Sequence, residues 1–109
     1  MGLSAFFGHM LTGLGSREAL NRATLSARNL ANRGAFDFTS VILDDVPSAV
    51  GSLPTILANA GIRYFIEGVN GERAPYATQG LQNPFYWEGP DGSRVLSQIA
   101  GGYAMASGL

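Results

Sequence analysis

Two adjacent carboxylates, Asp44 and Asp45, follow the aliphatic and β-branched run Thr39–Leu43. A carboxylate at the end of a strand is placed for chemistry when that strand belongs to a parallel sheet, because loops and helix N-termini converge there. Side chains alternate along a strand, so the two acids are expected to face opposite sides, leaving one for a cleft and no acid/base pair between them. A capping or turn-stabilising role in the Asp-Val-Pro-Ser segment is the competing reading. Glu67 ends a second run, Ile62–Gly68, and could present its carboxylate to the same cleft. A retaining glycosidase holds two such carboxyls about 5–5.5 Å apart; against this stands the ordinary solvated edge carboxylate.

The remaining chemistry-bearing residues are few. His9 is the only histidine, so no two-histidine zinc site can be assembled from this chain. Set among Phe6, Phe7, Met10 and Leu11, it reads as the polar edge of a packing helix. Tyr86 and Trp87 could stack on the apolar face of a sugar, although aromatic strand residues more often fill cores. Asn70, Glu72 and Arg73 could bind ligand hydroxyls or a carboxylate from a loop, or be solvated.

The elements that must hold these residues can be read from periodicity. From Ser16 to Arg33, Leu20, Ala23, Ala27, Leu30 and Ala31 share one stripe, which predicts a single helix with Ser16 as N-cap and Gly34 beyond its end. Thr39–Leu43 is apolar on both faces, as a strand of a parallel sheet is. Ser52–Ala60 predicts a short helix, with Pro54 in its first turn and Gly61 as its stop, and Ile62–Gly68 predicts a second strand. Together these form a βαβ unit with a right-handed crossover. Val69–Gln82 reads as a long surface loop, and Phe85–Glu88 with Arg94–Ile99 reads as a hairpin about Gly89-Pro90-Asp91-Gly92. The expected class is therefore α/β: a parallel βαβ core, helices at the N-terminus and a C-terminal β-hairpin.

Composition removes several functions. A 46% hydrophobic and 14% charged chain of 109 residues folds as one modest domain rather than staying disordered. A net charge of −1 gives no basic footprint for nucleic acid and no polybasic stretch for a membrane. The absence of cysteine removes disulfides and thiol chemistry. The apolar opening has no basic residue before it, unlike a signal peptide, so the expected chain is soluble and cytoplasmic.

The run Ser40-Val-Ile-Leu-Asp-Asp-Val-Pro-Ser48, followed by Leu53-Pro-Thr-Ile-Leu-Ala-Asn-Ala-Gly61 and Arg63-Tyr-Phe-Ile-Glu-Gly68, resembles the catalytic domain of glycoside hydrolase family 38, the α-mannosidases. The resemblance continues through Pro84-Phe-Tyr-Trp-Glu-Gly-Pro-Asp-Gly-Ser-Arg-Val-Leu96 and spans roughly residues 11 to 103. It implies that Asp45 is the catalytic nucleophile and a zinc ligand, that the substrate is an α-mannoside, and that hydrolysis retains configuration. The family's upstream His-x-Asp element, its downstream zinc histidine and its acid/base carboxylate have no counterpart here, so one of four zinc ligands remains. The expectation is a partial domain, residues 1–109, inactive in isolation, with Trp87, Tyr86 and Asn70 as its sugar contacts.

Two other readings stay open. A noncatalytic carbohydrate-binding or interaction module could keep the βαβ unit and lose the chemistry. A metal-dependent polysaccharide deacetylase is echoed by Leu43-Asp44-Asp45, without the paired histidines that group needs. A lone piece of parallel sheet also leaves apolar area bare, which predicts self-association or marginal stability.

Overall fold

The computed structural model describes residues 4–34, 36–46, 48–68 and 82–100. Among these residues three α-helices and four strands follow a short 3-10 turn at Thr12–Leu14: α1 (Arg17–Arg22), α2 (Leu25–Asn32), β1 (Ser40–Asp44), α3 (Leu53–Asn59), β2 (Tyr64–Gly68), β3 (Phe85–Glu88) and β4 (Arg94–Ala100). The strands make one sheet in the order β1-β2-β4-β3. β1, β2 and β4 run parallel, and β3 is antiparallel to β4. The α/β class, the βαβ core and the C-terminal hairpin are thus present as read from the sequence.

The local signals act where expected. The Ser16 hydroxyl accepts the Ala19 N–H at 3.1 Å, capping α1. Gly34 and Gly61 take φ of 74° and 81°, the left-handed conformation in which a side chain is costly. In the hairpin the Gly92 N–H donates to the Gly89 carbonyl at 3.0 Å, with Gly92 at φ 81°.

The helix read from the apolar stripe differs in continuity. The helix expected over Ser16–Arg33 is broken at Ala23–Thr24 into α1 and α2. The Thr24 hydroxyl donates to the Asn21 carbonyl at 3.1 Å. A β-branched hydroxyl that binds the preceding turn competes with the helical ladder and interrupts it. The apolar stripe survives the break, with Leu20 and Ala27 both buried.

Strand register sorts the side chains into two faces. Val41, Leu43, Phe65, Val95 and Ser97 are fully buried on one face, where Leu53 and Leu57 of α3 and Ala27 of α2 meet them. Phe65, with Trp87 packed at a ring distance of 5.7 Å, is the largest side chain of this core. The opposite face carries Ile42, Tyr64 and Tyr86, exposed to 39%, 43% and 69%. A parallel sheet is normally covered on both faces; among the described residues the helical cover lies on one.

The hairpin is anchored beyond its last ladder pair. The Asn83 carboxamide donates to the Ile99 carbonyl at 2.6 Å and accepts the Ile99 N–H at 3.0 Å, so a side chain serves as one more residue of β3.

Candidate functional site

The carboxyl ends of β1, β2 and β4 lie side by side, because Asp44 pairs with Gly68 and Gly68 with Ala100. Asp44 ends β1 on the exposed face with Ile42, and is partly buried. Asp45 follows it, exposed, and its N–H continues the ladder to the Gly68 carbonyl at 2.9 Å. The ladder therefore fixes the backbone of Asp45 while its φ of 57° breaks the extended conformation. Asp45 is the one non-glycine residue with positive φ among the described residues. Simple strand alternation accordingly ceases to govern which side Asp45 takes.

Asp44 is held from the other side. The His9 Nδ1 accepts the Asp44 N–H at 2.9 Å, which requires that nitrogen to be unprotonated. His9 is not on a helix, contrary to the sequence expectation: it lies exposed in irregular chain before the Thr12–Leu14 turn. The two glycines flanking this stretch, Gly8 and Gly13, and the open edge of β1 favour an irregular path along that edge over a helix. His9 and Asp44 line a hollow of about 420 Å³ with Ser4, Phe6, Phe7 and Ile42.

Glu67 is not a solvated edge carboxylate. It sits in register between Leu43 and Ile99 and is 1% exposed. Its place in the register puts it in the buried row with Leu43, because residues paired across parallel strands share a face. A carboxylate so covered is not open to solvent as that of Asp45 is.

The two candidate aromatic residues point apart. Trp87 is half-buried against Phe65, whereas Tyr86, its neighbour along β3, is exposed on the bare face. β2 and β4 stand between β3 and β1. With strands about 4.8 Å apart, Tyr86 is roughly 14 Å across the sheet from β1. Asn70, Glu72 and Arg73 lie outside the described residues.

The described residues by themselves do not make a zinc site. Among the described residues no three His, Cys, Asp or Glu groups come together to hold a metal ion, and the Nδ1 of the single histidine is engaged by Asp44. A structural or catalytic zinc takes three or four protein ligands.

Sequence reasoning missed two polar arrangements. One is the His9–Asp44 link, which joins residues 35 apart in the chain. The other is a cluster at the hairpin turn: the Thr55 hydroxyl donates to Asp91 Oδ1 at 2.5 Å, and the Ser93 hydroxyl and N–H also donate to that carboxylate, at 2.8 and 3.0 Å. These donors, Thr55 foremost, lower the Asp91 pKa from 3.8 to about 2. The signal for the second was the Asp-Gly-Ser turn itself; for the first there was none.

No helix among the described residues is long and apolar enough to cross a membrane. No family model matches the sequence, and no curated protein matches it.

Proposed function

We propose that this chain carries the nucleophile-bearing strand of an α-mannosidase-like retaining glycoside hydrolase. The observation that supports the reading is Asp45: an exposed carboxylate, in a left-handed conformation, just past a parallel strand at the end where such sheets bind ligands. Backbone held in a sparsely populated conformation gathers at functional sites, because surrounding structure sustains it for a purpose. The sequence resemblance around Leu43-Asp44-Asp45-Val46 supplies the reaction class.

In that reaction the carboxylate of Asp45 attacks the anomeric carbon, the glycosidic bond breaks, and an ester between Asp45 and the sugar forms; water then releases the sugar with retained configuration. The proton for the leaving oxygen has to come from a second carboxyl. Glu67 is buried, 1% exposed, and so is not placed beside the exposed Asp45 to meet that need. With neither an acid/base nor a zinc set assembled among the described residues, the reading is of a partial site, inactive by itself.

A mannose-configured iminosugar tests this, because its cationic nitrogen imitates the charge that develops during the reaction. NMR titration of the full chain is expected to shift the amides of Asp44, Asp45 and Val46, with the response lost in Asp45→Asn. Shifts confined to Tyr64 and Tyr86 would instead identify a noncatalytic carbohydrate-binding module, a reading favoured by the exposed rings of those two residues on one flat face. Turnover of an aryl α-mannoside by the chain with zinc, abolished in Asp45→Asn, would overturn the claim that it is inactive alone.

A further inference from the structure

β1 is an outer strand, and its N–H groups at Ile42 and Asp44 point away from β2. Such an edge is a template for another strand unless something closes it. Here the segment Ser4–His9 runs along it. Ser4 bridges Ser40 in parallel, and the Ala5 N–H donates to the Ser40 carbonyl at 2.9 Å. Beyond that point the backbone pairing stops and side chains take over. The Ile42 N–H donates to Ser4 Oγ at 3.2 Å, and the Asp44 N–H donates to His9 Nδ1 at 2.9 Å.

Two side-chain acceptors thus stand where the carbonyls of a neighbouring strand would be. Between them Ala5 and Phe6 are buried in the core while Phe7 is 87% exposed, and bends run through residues 5–8, so the segment is pinned at its middle and turns before His9 meets the edge. A continuous strand would offer a full row of donors and acceptors to a further chain. A bent segment that caps with side chains does not.

We infer that Ser4–His9 is an edge cover whose two side-chain acceptors keep β1 from pairing with β1 of a second copy, antiparallel about Ile42. The second copy is the partner because the edge is self-complementary: about a two-fold axis through Ile42, Ser40 of one strand meets Asp44 of the other. The inference is independent of the glycosidase reading, since it concerns backbone groups rather than the Asp45 carboxylate.

The test uses the full chain in a Tyr86→Lys background, which removes association through the exposed sheet face. His9→Ala is expected to speed amide exchange at Asp44 by about 5- to 10-fold, the consequence of losing one net hydrogen bond. Val41 and Leu43, whose amides point toward β2, are expected to keep their protection. Combining it with Ser4→Ala is expected to produce a concentration-dependent dimer in sedimentation velocity. His9→Asn, which sets an oxygen near the position of Nδ1, is expected to restore both protection and monomer. Unchanged Asp44 exchange in His9→Ala, or equal dimerisation in His9→Asn, would overturn the inference. If the double variant does not fold, the His9→Ala and His9→Asn pair decides it by exchange alone.

Discussion

Gly89 lies so close to α3 that a β-carbon on it would stand 2.9 Å from the backbone nitrogen of Thr55, nearer than real β-carbons come. The Thr55 hydroxyl stands nearer still and could turn aside at the cost of its bond to Asp91, but the backbone nitrogen cannot move in that way. Gly89→Ala is expected to lower stability by about 1–3 kcal/mol, an overpacking cost, read from chemical denaturation. Gly92 is the control, because it has open space but a φ of 81°. Asn, which tolerates left-handed backbone, is expected to be nearly neutral at Gly92 and damaging at Gly89.

The Asp91 carboxylate predicts an acid-sensitive turn. Its pKa in the folded chain is lowered to about 2 against 3.8 ordinarily, because Thr55 and Ser93 donate to the charged form. A depressed carboxylate adds stability that is fully present above pH 3.8 and is lost as pH falls through about 2. The stability gap between the parent chain and Asp91→Asn is therefore expected to hold from neutral pH to about 4 and close below it. Thr55→Val is expected to move the Asp91 titration, followed by NMR, upward toward 3.8.

Backbone strain at Asp45 gives a prediction separate from catalysis. At φ 57° a β-branched residue is disfavoured, whereas Asn is tolerated. Asp45→Val is expected to cost about 1–2 kcal/mol by thermal denaturation, and Asp45→Asn less than about 0.5. The Asn variant would then isolate the loss of the negative charge. Equal costs for the two would show that the carboxylate, not the conformation, holds this turn together.

The exposed side of the sheet predicts association. Register places Tyr64, Leu96 and Tyr86 in one row across three strands, with Ile42 and Ile66 in the next. Apolar area of this kind marks an interaction surface. Sedimentation velocity of the parent chain is expected to show association that grows with concentration and falls in Tyr86→Lys. A monomer over the whole range, unchanged by the substitution, would count against an apolar contact there.

Much of the architecture was legible because its signals are local. Ser16, Gly34, Pro54, Gly61 and the Gly89–Gly92 turn each act within a few residues of themselves, and each marks the boundary expected of it. The exception is also local: Thr24 sits on the correct stripe, but its hydroxyl reaches Asn21 and divides the helix. Apolar periodicity records which side of a segment is buried and is blind to such a bond.

The site was less legible. The sequence by itself determined that Asp44 and Asp45 end a parallel strand and that the hairpin closes the sheet, since period, turn chemistry and chain chirality are properties of neighbouring residues. Only the tertiary structure decided that Glu67 is covered, that β2 and β4 separate Tyr86 and Trp87 from β1, and that His9 leaves a helical path to cap Asp44. The physical reason is the same in each case. Burial depends on which helix lies over which face, and an edge N–H is satisfied by whatever acceptor the chain brings back to it, neither of which is written in the spacing of nearby residues.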